Sequence, residues 1–417
     1  MGQTIVEKIL TRVSGKKVTA GDIIYGKPDL IIMYNWPGIS DKLFSIIKDE
    51  LKIKKLVTTE KIILVIDHMV SPSSVKDAEF LKNTRQYALE NGIKLIEMQG
   101  IGHQVIIEAG IIRPGMFAVH FDTHVPTVGA VGAFGLPLAL DLLEALVTGE
   151  VWLEVPHTTC FQLTGRLPDG VMGRDLIHKI IHDLGPQGVK NHMMEFSGPG
   201  LKYLEMDDRI PVGSQCTWAG ALSAVFEVDH VTDVFLKNCG VSDYPILKSD
   251  SDAEYKETYL YDLGKLEPYV IAPPLPYKAI PLSEVEGIEI NQGYIGSCAG
   301  GRLKDIEIAA RILKGRKIKE GFRLFVVPST KNVFKESMQK GLLNVLVEAG
   351  AYISSPSCDF CYGRAQCLAE GEKAVSTGTL NVPGRMGSTK AEIYLASSAV
   401  VAATALNGKL SDPREFL

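Results

Sequence analysis

Three cysteines stand in contexts that suit metal binding. Cys298 closes the run Tyr294-Ile295-Gly296-Ser297-Cys298, and Cys358 and Cys361 form a Cys-Asp-Phe-Cys pair. A lone cysteine followed by a Cys-x-x-Cys pair supplies three thiolates, one fewer than a fully ligated four-iron cluster requires. The iron without a thiolate is then open to water or substrate and acts as a Lewis acid rather than an electron carrier. A structural zinc site is the competing reading, with Cys239 and Cys367 as candidate further ligands. Zinc ribbons usually bring two Cys-x-x-Cys knuckles, however, and this chain has one. Seven cysteines in 417 residues, an odd number, argue against a disulfide framework and for reduced thiols.

Two apolar runs end in the same polar chemistry. Ile62–Ile66 leads into Asp67-His68, and Met116–Phe121 leads into Asp122-Thr123-His124. An aspartate beside a histidine fixes its tautomer and raises its basicity, which suits proton transfer near neutral pH. Gly100-Ile101-Gly102-His103-Gln104 adds a third histidine in a glycine turn. Taken singly, each histidine is better read as a cap or a satisfied buried group; three such sites close together point to a shared active site. The stretch Val128-Gly129-Ala130-Val131-Gly132-Ala133-Phe134-Gly135 either presents backbone amides to an anion or lets a helix pack tightly on a sheet. It lacks a phosphate-loop lysine. Near the end, Asn381-Val382-Pro383-Gly384-Arg385-Met386-Gly387 places an arginine in a tight loop, where it could clamp a carboxylate with two parallel bonds.

Short buried strands alternating with longer helices must position these groups. Ile62–Ile66, Met116–Phe121 and Leu324–Val327 are continuous apolar runs of the kind found in parallel strands covered on both faces. Helical periodicity follows at Asp305–Leu313, at Lys331–Ala349 and at Ala391–Leu406. The expected class is therefore α/β with mainly parallel sheets. Domain limits are expected at 1–155, 156–272 and 273–417, with the proline-rich stretch Tyr269–Pro281 as an extended connector. Net charge is −5 and no basic stripe occurs, which gives no support for nucleic-acid binding. No apolar stretch reaches the roughly 20 residues that cross a bilayer. A cytoplasmic protein is expected.

These motifs, in this order, resemble the aconitase superfamily, and most closely the large subunits of 3-isopropylmalate dehydratase and homoaconitase. The resemblance runs essentially end to end. It is carried by Val6-Glu7-Lys8-Ile9-Leu10, Asp67-His68, Gly102-His103-Gln104-Val105, Arg113-Pro114-Gly115-Met116, Asp122-Thr123-His124, Ile295-Gly296-Ser297-Cys298, Cys358-x-x-Cys361, Gly384-Arg385-Met386-Gly387 and Ala391-Glu392-Ile393-Tyr394-Leu395-Ala396-Ser397. It implies three α/β/α domains around a central cluster site, with a fourth, mobile domain carried by a separate small subunit. It implies a [4Fe–4S] cluster on Cys298, Cys358 and Cys361 with one non-thiolate iron. Asp67 and His68 would protonate the departing hydroxyl; His103, Asp122 and His124 would hold water and substrate oxygens; Arg385 would anchor a substrate carboxylate. The base that removes the carbon-bound proton would be a serine of the small subunit, making the enzyme a hetero-oligomer. The implied reaction is reversible loss of water from a hydroxy-dicarboxylate such as 3-isopropylmalate.

Several positions depart from the family pattern. Thr379-Leu380-Asn381 stands where relatives usually carry Asn-Arg-Asn, so one cationic anchor is replaced by Leu380. Ser214 and Trp218 stand where an Asn and a Glu are usual, Ala299-Gly300 where Thr-Asn follows the cysteine, and Thr123 where a Ser is usual. Tyr34-Asn35-Trp36-Pro37 replaces a Gly- and Thr-containing turn. The cluster ligands and proton-handling groups are retained while Trp218, Leu380 and Thr123 change what the pocket reads. The expectation is dehydratase chemistry on a substituted malate, with 2,3-dimethylmalate and citramalate as alternatives to isopropylmalate, and a non-catalytic metal-binding module as the different-class alternative.

Overall fold

A computed structural model describes residues 2–417, and among them three mainly parallel sheets and one small ribbon carry the fold. The first sheet has the order Lys94–Glu97, Ile62–Ile66, Leu30–Tyr34, Phe117–His120, Phe134–Pro137, all parallel. Every residue of Leu30–Tyr34, Ile62–Ile66 and Phe117–His120 is buried, as continuous apolar runs demand when both faces are covered. The second sheet has four parallel strands: Ser223–Phe226, Met193–Ser197, Thr158–Thr164 and Glu257–Asp262. The third has seven, in the order Ala279–Pro281, Tyr269–Ile271, Glu392–Leu395, Lys373–Ser376, Gln292–Ile295, Arg323–Val326, Tyr352–Ile353. An antiparallel ribbon pairs Ile23–Gly26 with Val151–Glu154. The α/β class is as expected.

The direction of chain travel in two of these sheets explains where the site lies. In the first, the chain leaves Leu30–Tyr34 toward Ile62–Ile66 on one side, while Phe117–His120, its other neighbour, leads on to Phe134–Pro137 on the opposite side. The crevice beyond the carboxyl ends of two such strands is uncovered by either crossover and is where open α/β sheets bind ligands. The third sheet repeats the arrangement between Gln292–Ile295 and Lys373–Ser376.

Three local expectations are corrected. Tyr269–Pro281 is no connector: Tyr269–Ile271 and Ala279–Pro281 pair as a hairpin, and Ile271 also pairs with Leu395 in the seven-stranded sheet. The expected boundary at 272/273 falls inside this hairpin. Lys331–Ala349 is two helices, Lys331–Gln339 and Leu342–Ala349, because Gly341 adopts φ 70° and breaks the ladder. Ala391–Leu406 splits into the strand Glu392–Leu395 and the helix Ser398–Asn407; β-branched and aromatic residues suit the first half, and small residues suit close packing in the second.

The glycine-rich stretch has a packing role. Val125–Val131 forms a buried 3₁₀ segment pressed on the second sheet, and a Cβ on Gly129 would lie 1.8 Å from the Ala224 carbonyl oxygen. No rotamer relieves a clash with backbone. Gly129→Ala is therefore expected to destabilise the fold by at least roughly 1–3 kcal/mol, read as a fall in the midpoint of chemical or thermal unfolding.

Candidate active site

Strand Ile62–Ile66 delivers Asp67 and His68 past its carboxyl end. Asn35, following strand Leu30–Tyr34, holds that turn: its Oδ1 accepts the Asp67 and His68 N–H groups at 3.1 and 3.2 Å, and its Nδ2 donates to the His68 carbonyl at 2.5 Å. Asp67 Oδ1 lies 2.7 Å from His68 Nδ1, and Oδ2 accepts the Gly102 N–H at 2.8 Å. One carboxylate thus orients the imidazole and pins the start of helix Gly102–Glu108, which carries His103. Burial pushes the His68 pKa down, but the Asp67 charge and hydrogen bond outweigh it and hold it above its ordinary value.

Strand Phe117–His120 delivers the second pair. Asp122 Oδ1 accepts the His124 N–H and meets His124 Nδ1, both at 2.7 Å. His103 Nε2 is 3.7 Å from Asp122 Oδ2, close but beyond hydrogen-bond reach. Burial works to raise the Asp122 carboxyl, yet His124 and His103 hold it well below the usual carboxylate range. His103, Asp122 and His124 bring three ligand-type atoms within 4.8 Å of one another, the spacing of a metal-binding group. Both ring nitrogens of His103 and Nε2 of His124 are buried without a hydrogen-bond partner.

The third sheet supplies the thiols. Cys298 follows Gln292–Ile295 through Ser297, which takes the left-handed φ of 78° that a serine rarely adopts. Its hydroxyl compensates, donating to the Thr377 carbonyl at 2.7 Å and accepting the Ala299 N–H at 3.1 Å. Gln104 Nε2 donates to the Cys298 carbonyl. Cys361 lies 3.5 Å from Arg385 Nη2. A hydrogen bond from Cys358, with Arg385 beside it, sets the Cys361 thiol well below its ordinary value. Burial pushes Cys298 the other way.

All of these groups meet in one cavity of about 250 Å³. Its lining includes every residue expected from sequence: Asp67, His68, His103, Asp122, Thr123, His124, Trp218, Cys298, Cys358, Cys361, Leu380 and Arg385. Trp218 is fixed by its indole N–H on the Thr379 carbonyl at 2.9 Å. Cys239 and Cys367 are not among the lining residues, and the Cys367 thiol turns to the Gly363 carbonyl at 3.0 Å. The remaining lining is largely apolar, with Tyr34, Trp36, Ile39, Ile101 and Phe121.

Known proteins match this chain over essentially its whole length. A family model described as the aconitase family (aconitate hydratase) matches residues 45–286 and 283–408. The 3-isopropylmalate dehydratase large subunit of Acetivibrio thermocellus is 37% identical over 423 residues, covering 100% of both chains. That of Aquifex aeolicus is 37% identical over 427 residues, covering 100% of this chain and 98% of the relative. The chain belongs to the aconitase family. A solved structure of aconitase X from Thermococcus kodakaraensis, holo-form, aligns over 91% of this chain and 92% of its own at 11% identity and TM-score 0.49.

For this aconitase-family chain, two residues that line the cavity, Tyr34 and Trp36, stand in the sequence only as part of a turn that departs from the family pattern, with no role assigned to them. Tyr34 stands edge-on to His120 and His103, with ring centroids 4.2 and 4.8 Å away, and Trp36 stands edge-on to His68 at 4.6 Å. His120 is fully buried, and its Nδ1 accepts the Asp122 N–H at 3.0 Å.

The His68–Asp67 pair fixes a pH response. A raised histidine pKa contributes stability that is fully present below the unfolded value of 6.5 and is lost as pH rises through the folded value. Asp67→Asn removes the charge that opposes burial, so the His68 pKa is expected to fall below its wild-type value and that contribution to shrink. Imidazole proton titration by NMR reads the shift directly; an unmoved His68 midpoint would refute the assignment of its cause.

Proposed function

We propose that this chain is the large, cluster-bearing subunit of a hydro-lyase that reversibly dehydrates a hydroxy-dicarboxylic acid in the manner of 3-isopropylmalate dehydratase. The single observation that carries the proposal is the convergence of three thiols, two Asp–His pairs and one arginine in one cavity. Family membership and the full-length relatives support the same reading.

The residues fit an iron–sulfur group. Cys298, Cys358 and Cys361 offer three soft donors, none in a disulfide, among the residues that line one cavity, and His103 and His124, with buried unpartnered nitrogens, line it too. When bound there, a [4Fe–4S] cluster with one non-thiolate iron supplies Lewis acidity at an open position. Around it, His68, oriented by Asp67 and with its pKa raised by that carboxylate, is the group we assign to give a proton to a departing hydroxyl. Asp122 keeps His124 oriented and stands close to His103, so this trio presents ring nitrogens to substrate and water oxygens. Arg385, with Nε buried and unpartnered, is the cation placed to receive a carboxylate. On the family resemblance, we assign carbon-bound proton removal to a serine of a small, swivel-domain subunit. We take the three sheets as the cores of three α/β units, the third beginning with the Tyr269–Pro281 hairpin rather than at residue 273. The unpaired cysteines support a cytoplasmic setting, and no helix among the described residues is long and apolar enough to cross a membrane.

A specific observation also favours other substituted malates, such as 2,3-dimethylmalate or citramalate. Trp36, Ile39, Trp218 and Leu380 line the cavity, and Arg385 is the one arginine among its lining residues. A further carboxylate against these walls would be desolvated without a partner, at a cost of several kcal/mol.

Two measurements test the proposal. Protein purified without oxygen and reconstituted with iron and sulfide is expected to be brown, with iron and sulfide near a four-to-four ratio. Cys298→Ser, Cys358→Ser and Cys361→Ser are each expected to lose cluster and activity, whereas Cys239→Ser keeps both; a full cluster in any of the first three refutes the ligand assignment. Turnover is expected only after a small subunit is added.

Substrate choice is read from a panel of hydroxy acids with the reconstituted complex. Malates with small apolar substituents are expected to outrun citrate and homocitrate. Arg385→Lys is expected to lower kcat/KM by about 10–100-fold, the value of one charge-assisted bond, and Leu380→Arg to shift preference toward more highly charged acids. Faster turnover of citrate than of any branched malate would overturn the pocket argument.

A further inference from the structure

The cysteine loop reaches back to the Asp67-His68 turn through a carboxylate that no motif announces. Asp359 lies between the paired cysteines and is buried. Its Oδ1 accepts the Met69 N–H at 2.7 Å, and its Oδ2 accepts the Val70 N–H at 3.2 Å. Tyr362 donates its hydroxyl to Oδ1 at 2.8 Å, and Arg364 Nε lies 4.0 Å away. One residue earlier, the Cys358 N–H donates to the Asp67 carbonyl at 2.9 Å. The segment Asp67–Val70 is thus held at three backbone groups by the loop that carries two of the three thiols.

Two features show what this clasp accomplishes. Met69 sits at φ 54°, a left-handed conformation that an unbranched non-glycine side chain takes only when its surroundings impose it. A backbone that relaxed at Met69 would swing the residue before it, His68. In addition, the Tyr362 ring held by Asp359 stands 5.6 Å from the His68 ring and 5.2 Å from Trp36, so the same carboxylate fixes the imidazole's neighbour. An aspartate between two thiols, near Asp67, adds negative charge where charge is already concentrated. Charge-assisted bonds from two amides and a phenol offset that cost.

We propose that Asp359 is a positioning residue for the reaction: it aims His68 by clamping the Met69–Val70 backbone and Tyr362, and it is not needed to hold the metal. The role of His68 in turnover rests on the hydro-lyase reading above; the clamp itself does not.

The test uses the full chain, reconstituted with iron and sulfide and combined with a small subunit, and reads three quantities. Asp359→Ala is expected to keep wild-type iron and sulfide content. The Met69 and Val70 amides should lose hydrogen-exchange protection, and kcat should fall by about 10–100-fold while KM changes little, as for loss of an outer-shell orienting group. Asp359→Asn keeps one oxygen for the Met69 N–H, so faster exchange at Val70 than at Met69, with partial recovery of kcat, is expected. This second variant decides the matter if the alanine protein does not fold. Loss of iron with exchange at Met69 and Val70 unchanged would overturn the proposal, as would unchanged exchange in both variants. If wild-type complex turns over no hydroxy acid, the functional reading fails while exchange still decides the clamp.

Discussion

The buried guanidinium of Arg302 is the interaction on which the site's assembly depends. It binds Asp207 through Nε and the Gln104 side-chain oxygen through Nη1, with Glu108 at 3.5 Å. Those partners sit on helices Met206–Gln215 and Gly102–Glu108, while Arg302 caps helix Leu303–Leu313. Burial alone would drive the charge off this group; Asp207 and Glu108 more than reverse that and keep its pKa above the ordinary arginine value. Gln104 then passes the constraint on, because its amide donates to the Cys298 carbonyl. A cation that cannot remain buried without all its partners makes their relative placement nearly all-or-none.

That joint lets two parallel sheets aim their ligand-binding crevices at one space. Polar residues at strand ends are ordinarily satisfied by water or backbone. Here the ends of Leu30–Tyr34, Ile62–Ile66 and Phe117–His120 face those of Gln292–Ile295 and Lys373–Ser376, and each supplies what the other lacks. The first contributes imidazoles and carboxylates, which are titratable groups and hard donors. The second contributes thiols and an arginine, soft donors and a fixed cation. Hard and soft donors meet without competing for the same backbone.

How much of this was legible in the sequence follows from the range of the interactions involved. Cysteine spacing and Asp–His adjacency are local, and every residue singled out on those grounds lines the cavity. Strand positions were legible where both faces are buried, as at Ile62–Ile66, because nothing but apolar residues is tolerated there. The hairpin at Tyr269–Pro281 was misread because its prolines suggest a linker, whereas strand Tyr269–Ile271 is held by long-range pairing with Leu395. His120, Arg302 and Asp359 were passed over, and Tyr34 was noted only as part of a departing turn, for a similar reason. Each is decided by partners far away in the chain, and no spacing rule records a hydrogen bond from position 359 to position 69.

The ring of Tyr34 carries a consequence for descent. A Cβ on Gly102 would lie 2.4 Å from its Cε1 atom, so the tyrosine and the glycine before His103 share one volume. A lineage that holds the bulky ring at position 34 is barred from alanine at 102, and one that shrinks the ring is released from that bar. A side chain at position 102 must therefore wait for a smaller residue at position 34, whereas the ring can shrink on its own.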